Sequence, residues 1–287
     1  MYQDLLPDKL ERLWKKVAEG LLSAEEFHDI EHRLLREYRE EWTKALLIEG
    51  FYDLRDSTIH EISSYTGNGD LNETRRLCED ALASIKGEWH AKVGTVERGP
   101  VEKFYDQSEA MLYELMWWHT LVDDPSPLAY LVALKLAVMN DCESYLDFGC
   151  GVGSGGILFA GNRIAVTLAD ISSNMLKFSS WRLAQRGISA QYIDLKTGQL
   201  PESRFDFITA MDVFEHLVDP VATVRQLSGA LKKGGFLFGR FHAEKDEDRP
   251  HHIVFDFEPT LRELKTLGFE KVWQDKWLWG HEVFQKT

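Results

Sequence analysis

The stretch YLDFGCGVGSGG, from Tyr145 to Gly156, decides how this chain folds. A short apolar segment that carries one acid, Asp147, breaks into a run of glycines. Glycine has no Cβ, so a glycine-rich turn lets the backbone approach a ligand closely and adopt conformations that other residues avoid. Turns of this kind between a strand and a helix bind nucleotide ligands. The stretch therefore predicts a nucleotide-type ligand and leaves open which one.

Around this stretch, short apolar runs alternate with helical patterns. Predicted strands lie at 144–149, 163–170, 188–195, 204–212 and 234–241, and predicted helices at about 172–186, 218–231 and 259–267. Strands separated by helices need crossover connections, which produce a mainly parallel sheet. Two final strands, in FEKVWQDKWLW and HEVFQ, have no helix between them and predict an antiparallel hairpin at the sheet edge. We therefore expect an α/β fold with a doubly wound, mainly parallel seven-stranded sheet.

The first half of the chain predicts helices instead. Ser23 and Glu26 have the spacing of a capping box at the start of a long amphipathic helix. Other predicted helices cover about 7–19, 72–86, 102–121 and, after the break DDPSP, 128–139. We expect two parts: a helical region at 1–125, which covers the substrate or mediates oligomers, and a sheet domain at 126–287.

Composition excludes several classes of partner. The net charge of −14 would repel nucleic acids and anionic membranes over most of the surface. The longest apolar stretch, 130–139, is interrupted by Lys135 and is too short to span a bilayer, and the first residues contain no secretory signal pattern. The three cysteines are too few and too scattered for a disulfide framework. These features predict a cytoplasmic protein.

The glycine run is compatible with two ligands. Gly151, Gly153 and Gly156 satisfy the pattern G-x-G-x-x-G, and Asp170 closes the next predicted strand, where a carboxylate can accept both hydroxyls of a ribose. These two features alone fit a dinucleotide and an NAD-dependent oxidoreductase.

Three further features favour a different nucleoside ligand. Asp147 lies inside the strand before the turn, and Asp194 ends the third strand, where an acid is placed to meet an adenine amino group. A polar cluster in FDFITAMDVFEHL ends the fourth strand, across the crevice.

With these features, residues 128–287 resemble the class I S-adenosylmethionine-dependent methyltransferases of the small-molecule type. The family motif of an acid followed by G-x-G-x-G matches Asp147, Gly149, Gly151 and Gly153. The resemblance implies S-adenosylmethionine as the cofactor. It also implies further cofactor-binding positions: Cys150 in the turn, Asp170 at the ribose, Ile171 and Met175 against the adenine, Asp194 and Leu195 at its edge, and Met211 and Asp212 at the methionine end.

Aromatic residues before the sheet extend the resemblance. FYDQSEAMLYELMWW is similar to the segment that closes aromatic rings over the sulfonium in many of these enzymes. Because a cation is stabilised over an aromatic face, Tyr105 and Trp118 are predicted to contact the cofactor. The alternative is that both rings belong to the helical core.

Two histidines are candidate catalytic bases, because imidazole titrates near neutral pH. His216 follows the fourth strand and ranks first, and His242 follows the fifth strand and ranks second. His242, His251 and His252 flank the acidic loop AEKDEDRPHH. We expect a solvated loop there and no metal.

The sequence therefore predicts a biosynthetic methyltransferase that transfers the methyl group to a nucleophilic atom of a small molecule by in-line displacement. A homodimer is possible, and no nucleic acid or membrane partner is expected. Three alternatives remain open: a non-catalytic S-adenosylmethionine-binding or interaction module, an NAD-dependent oxidoreductase, and an enzyme that uses the same cofactor for something other than methylation.

Overall fold

The computed structural model describes residues 4–287, so the first three residues of the predicted helical region lie outside the described part. Within it, seven strands form one sheet: β1 Ser144–Phe148, β2 Ala165–Asp170, β3 Gln191–Asp194, β4 Phe205–Ala210, β5 Leu231–Arg240, β6 Phe269–Gln274 and β7 His281–Lys286. The strand order is β3-β2-β1-β4-β5-β7-β6. Neighbouring strands among β1–β5 are parallel, and β7 is antiparallel to both β5 and β6. The predicted doubly wound sheet and edge hairpin are confirmed.

The strand order reverses beside β1. The chain builds outward from β1 to β2 and β3, and then crosses back to place β4 on the other side of β1. The helices that follow β1 and β4 consequently leave a crevice between them at the carboxyl ends of the strands. In open α/β sheets, ligands bind at this switch point.

The helices of the described residues are as follows: α1 Leu6–Ala18, α2 Ala24–Leu46, α3 Leu54–Thr66, α4 Leu71–Glu79, α5 Ala81–Lys92, α6 Arg98–Gln107, α7 Ala110–Trp118, α8 Ala129–Met139, α9 Ser154–Gly161, α10 Ser173–Gln185, α11 Pro220–Ala230 and α12 Glu258–Thr266. Short 3-10 turns occupy Ser126–Leu128 and Phe214–His216. The predicted capping box is present: the Ser23 hydroxyl accepts from the Glu26 amide, and the Glu26 carboxylate accepts from the Ser23 amide. None of these helices is long and apolar enough to cross a membrane.

Two predicted helices are each divided in the structure. The segment 72–86 breaks at Asp80, and the segment 102–121 breaks at Ser108. Ser108 has an extended backbone, and its hydroxyl accepts from the Met111 amide. Short polar side chains compete with helix hydrogen bonds in this way. The prediction of one continuous helix in each segment was wrong. The helical spacing of apolar residues continues across both breaks and therefore does not reveal them.

The helical region and the sheet share one hydrophobic core. A single buried cluster joins Leu10 of α1 and Trp42 of α2 to Leu158 of α9 and Leu168 of β2. The Trp42 indole also donates to the backbone oxygen of His119, 2.9 Å away. The boundary at residue 125 stays a prediction, and the packing across it is continuous.

Candidate active site

A cavity of about 1180 Å³ lies at the carboxyl ends of β1, β2 and β4. Its walls include the turn after β1, the residues that follow β2 and β4, and side chains of α6 and α7. Ligand pockets usually measure about 300–1,000 Å³. This cavity therefore has room for a nucleoside cofactor together with a second small molecule.

The turn after β1 requires glycine at two positions on the cavity wall. Gly149 has φ +71° and Gly151 has φ +49°. A Cβ on Gly149 would lie 2.6 Å from Val213 Cγ2, and a Cβ on Gly151 would lie 2.8 Å from Leu115 Cδ1. The positive φ disfavours a side chain at both positions, and a side chain at either would also require its neighbour to move. The turn is thus packed tightly between α7 and the segment after β4.

Asp170 ends β2 and faces this turn. The residue is 7% exposed, and its carboxylate accepts hydrogen bonds from the amides of Gly151 and Ser172, both at 2.8 Å. Burial raises the pKa of Asp170, and these backbone hydrogen bonds oppose the rise. Each carboxylate oxygen has a second acceptor site, so Asp170 can support the turn and bind ligand hydroxyls together. Ser172, not Asp170, caps α10, because its hydroxyl accepts from the Met175 amide.

Asp147 lies beneath the turn and does not line the cavity. It is fully buried and accepts hydrogen bonds from Thr209 at 3.0 Å and Tyr130 at 3.3 Å. Burial raises its pKa to about 7. A Cβ on Gly155 would lie 2.5 Å from the Asp147 carboxylate, so this acid packs directly against the start of α9. The structure places Asp147 in a supporting position below the turn, and its predicted contact with the cofactor stays a prediction.

The structure brings most of the predicted site residues to one cavity. Those that line it are Tyr105, Trp118, Gly149, Cys150, Gly151, Asp170, Ile171, Met175, Leu195, Met211, Asp212 and His216. Besides Asp147, three lie outside the lining: Gly153, Asp194 and His242. Gly153 packs against Ser179 at the start of α9. Asp194 accepts from the Ser173 hydroxyl and the Lys196 amide, both at 2.9 Å, at the rim beside Leu195.

The structure places His242 outside the cavity in which it is predicted to act as a base. Its side chain is 65% exposed, and its Nε2 lies 3.8 Å from Glu244 Oε1. The preceding Phe241 is buried against Phe214, with ring centroids 4.5 Å apart. Because successive side chains of an extended segment point to opposite sides, this packing directs His242 towards solvent.

His216 does reach the cavity. Its Nδ1 lies 2.9 Å from the Tyr105 hydroxyl and 3.1 Å from the backbone oxygen of His251. Burial lowers the pKa of His216 to about 4. The ring is therefore neutral at neutral pH, with its Nε2 not used by these two contacts. A base with this pKa accepts a proton weakly at neutral pH.

Residues 244–248 are exposed, as predicted for a solvated loop, but the end of this segment at His251 is not. His251 is 5% exposed and stacks on His216 with ring centroids 5.3 Å apart. The amides of Ile253 and Val254 donate to the Glu215 backbone oxygen at 2.8 and 3.1 Å. These bonds bring the chain after β5 back onto the turn after β4, which local sequence patterns do not reveal.

Charged residues missed by the sequence analysis also line the cavity. Arg240 donates to Asp212 at 3.1 Å, and Arg249 lies 3.7 Å from Glu114. Asp212 itself has φ +46°, a conformation that costs a non-glycine residue energy and is often found at functional sites. The one sequence signal for Glu114 was its position as a lone charge in the apolar helix AMLYELMWW.

A doubly wound sheet with a buried acid facing a glycine turn at its switch point defines a protein that binds a nucleoside cofactor. A family model described as “Methyltransferase domain” matches residues 146–237, which include this turn, Asp170 and Asp212. The chain therefore contains a methyltransferase domain, and the resemblance to class I S-adenosylmethionine-dependent methyltransferases is confirmed over these residues.

Similar proteins include two ubiquinone biosynthesis O-methyltransferases. The protein of Nitrosospira multiformis is 34% identical over 42% of this chain and 54% of its own length. That of Glaesserella parasuis is 30% identical over 46% of this chain and 63% of its own length. Matches to curated relatives of this name thus span less than two thirds of each relative.

A solved structure also aligns with the chain. The 1,6-didemethyltoxoflavin-N1-methyltransferase of Burkholderia thailandensis, with bound 1,6-didemethyltoxoflavin and S-adenosylhomocysteine, gives a TM-score of 0.43 at 19% identity. The alignment covers 55% of this chain and 78% of that protein.

The matched domain implies S-adenosylmethionine as the cofactor, and the residues of the cavity fit it. Asp170 offers free acceptor sites for ribose hydroxyls, and the turn at Gly149 and Gly151 presents backbone with no side chain in the way. Ile171, Met175 and Leu195 supply an apolar wall for an adenine ring.

Proposed function

We propose that this chain is an S-adenosylmethionine-dependent methyltransferase that acts on a small molecule. The observation that carries the proposal is the position of Asp170, which faces the glycine turn inside a cavity large enough for two ligands. The family-model match over the same residues supports it. The names of the curated relatives favour oxygen as the acceptor atom.

S-adenosylmethionine supplies an electrophilic methyl group on a sulfonium. In our proposal Asp170 binds the ribose hydroxyls, and the turn at 149–151 binds the methionine portion. Ile171, Met175 and Leu195 enclose the adenine, and Asp194 approaches its edge from the rim.

Tyr105 and Trp118 close the cavity from the helical region. Both line it, and Trp118 is held by a hydrogen bond from its indole to Asp124 at 3.1 Å. Their faces would stabilise a cation next to them. Because α6 and α7 form this wall, the helical region would also shape the acceptor pocket.

The protein would accelerate the reaction mainly by holding an acceptor in line with the methyl group, which removes much of the entropic cost. An acceptor hydroxyl must also lose its proton. Glu215 and His216 are the nearest candidates to receive it, since both line the cavity after β4. Burial, with the Asp212 carboxylate nearby, raises the pKa of Glu215 well above its usual range, which makes this carboxylate the stronger base of the two.

The proposal also includes a cellular location and an oligomeric state. A cytoplasmic location is supported by the three cysteines, none of which is paired. A homodimer is carried over from the sequence analysis, and light scattering on the purified chain would test it.

Calorimetric titration with S-adenosylhomocysteine tests the proposal. We expect binding by the wild type and at least tenfold weaker binding by Asp170→Ala, because hydrogen bonds to a charged group contribute about 1.5–3 kcal/mol. Asp29→Ala, on the exposed face of α2, is the control and should bind like the wild type.

Absence of binding would refute the proposal, and binding of NADH in its place would favour the oxidoreductase. Binding without formation of S-adenosylhomocysteine from S-adenosylmethionine, across a panel of phenols and alcohols, would favour the non-catalytic module.

A further inference from the structure

Three histidines meet at the wall of the cavity. His216 comes from the 3-10 turn after β4, and His251 and His252 come from the segment that returns after β5. One ring nitrogen from each lies within 4.8 Å of the other two. The ring centroids are 4.8–5.3 Å apart.

Some ring nitrogens of this cluster are not used in hydrogen bonds within the described part of the chain. The contacts of His216 with Tyr105 and the His251 backbone use Nδ1 and orient the ring, which leaves Nε2 available. His251 Nδ1 is buried and has no hydrogen-bond partner among residues 4–287. A buried polar atom without a partner costs about 1–3 kcal/mol, so a partner is expected to occupy this position.

Carboxylates beside the cluster are also incompletely paired. Glu215 Oε2 and Asp212 Oδ2 are buried and have no hydrogen-bond partner in the described part of the chain. Two guanidinium groups face the same wall, but Arg240 pairs with Asp212 and Arg249 lies near Glu114 and Asp246. The wall therefore carries no excess of positive charge that would repel a cation.

We propose that His216, His251 and His252 bind one divalent transition-metal ion, with Zn²⁺ the best match to three imidazoles. Imidazole is a favoured ligand of zinc, and three protein ligands leave one coordination position open, as in catalytic zinc sites. Tetrahedral bonds of about 2.0–2.1 Å place the ligand atoms about 3.3 Å apart. Binding therefore draws the three rings together by small side-chain rotations, and the ion would lie at the cavity wall because all three residues line it.

The role of this ion rests on the proposed function. A cation at this wall lowers the pKa of an acceptor hydroxyl that approaches it. The O–H bond breaks and the proton passes to solvent. The acceptor oxygen forms a bond to the methyl carbon as the carbon–sulfur bond breaks, and its electron pair stays on sulfur.

The test uses the full chain without a histidine tag, stripped with EDTA and titrated with ZnCl₂ against a chromophoric chelator. We expect one ion per chain, and binding at least a hundredfold weaker in His252→Ala. His252 is half-buried and makes no hydrogen bond that the fold needs, so this variant should keep its circular dichroism spectrum and melting temperature. His90→Ala, exposed on α5, is the matched control and should bind Zn²⁺ like the wild type.

Co²⁺ in place of Zn²⁺ gives a second readout. A tetrahedral site of nitrogen ligands should produce visible absorption bands in the wild type and His90→Ala, and none in His252→Ala. Equal Zn²⁺ affinity in wild type and His252→Ala, or no stoichiometric binding, would overturn the inference.

Failure of this inference and failure of the proposed function are distinguishable. Zn²⁺ binding is measured without S-adenosylhomocysteine, and S-adenosylhomocysteine binding is measured on the metal-free chain. A chain that binds S-adenosylhomocysteine but not Zn²⁺ refutes the metal site alone. A chain that binds Zn²⁺ but not S-adenosylhomocysteine supports the metal site and refutes the methyltransferase.

Discussion

Glu61 of α3 and Arg182 of α10 form an ion pair inside the protein, with 3.0 Å between Oε2 and Nε and both side chains 2% exposed. The same guanidinium donates through Nη1 to the Val152 backbone oxygen at 3.0 Å and to the Ser154 hydroxyl at 2.8 Å. Val152 belongs to the glycine turn. The helical region is thereby linked through one side chain to the backbone of the candidate cofactor site.

Glu61→Gln should strongly destabilise the protein. Removing one partner of a buried pair leaves the other charge uncompensated and costs about 3–5 kcal/mol. Urea unfolding of the variant and the wild type measures this difference. Glu73→Gln is the control: it breaks a pair with Arg76 at 2.7 Å that is exposed, and it should change stability little. Equal effects of the two substitutions would contradict the role given to Glu61.

Gly151→Ala should abolish binding of S-adenosylhomocysteine. The substitution places a Cβ 2.8 Å from Leu115 Cδ1 in a backbone conformation with φ +49°. The double variant Gly151→Ala/Leu115→Ala removes the collision but not the conformational strain, so it should recover binding in part. Gly161→Ala, where a Cβ meets nothing within 4 Å, should bind normally. Normal binding by Gly151→Ala in calorimetry would show that the turn tolerates a side chain.

The raised pKa of Asp147 predicts how the stability of the protein depends on pH. Because burial raises its pKa from 3.8 to about 7, the folded state holds a proton that the unfolded state has lost between these values. Its contribution to stability is present below about pH 4 and is lost as the pH rises through about 7. Asp147→Asn should therefore gain stability relative to wild type across this interval.

The comparison uses urea unfolding of both proteins at several pH values between about 4 and 8. Asp206→Asn provides the opposite sign, because contacts with Lys232 and Ser144 lower the pKa of Asp206 despite partial burial. This variant should lose stability relative to wild type as the pH rises up to the ordinary carboxyl pKa of 3.8, and its difference from wild type should stay constant between about pH 4 and 8. A difference between Asp147→Asn and wild type that does not vary with pH would rule out the raised pKa.

Substitutions of Asp212 test whether the backbone after β4 is strained. Asp212→Ala and Asp212→Gly both remove the partner of Arg240, but only glycine adopts φ +46° at low cost. The glycine variant should be more stable than the alanine variant by about 1 kcal/mol or more, as judged by urea midpoints. If alanine proves as stable as glycine, the residue does not hold this conformation in solution.

Local sequence patterns predicted the sheet because the order and spacing of apolar segments along the chain determine a sheet of this type. Short apolar runs separated by helices require crossovers, and Gly149, Gly151 and Asp170 lie at fixed offsets from β1 and β2. Most predicted site residues reach the cavity for this reason: the carboxyl ends of neighbouring parallel strands meet at one edge.

Other features depend on contacts between distant segments and could not be predicted. His251 is buried because backbone hydrogen bonds attach Ile253 and Val254 to Glu215, far away in the chain. His242 lies outside the cavity, and its neighbour Phe241 packs inward against Phe214. Asp147 matched a motif, but its hydrogen bonds to Thr209 and Tyr130 hold it below the surface that a ligand would touch.

The core that runs from α1 and α2 into α9 and β2 has a consequence for engineering and evolution. A catalytic half cut at residue 125 would expose the apolar face that Trp42 and Leu10 now cover, so we expect it to aggregate instead of folding. The helical half is therefore not an interchangeable module. A change of substrate could arise by substitutions in the residues that line the cavity, including those of α6 and α7. Grafting the helical region onto a related sheet would require the recipient to carry the matching surface of α9 and α10.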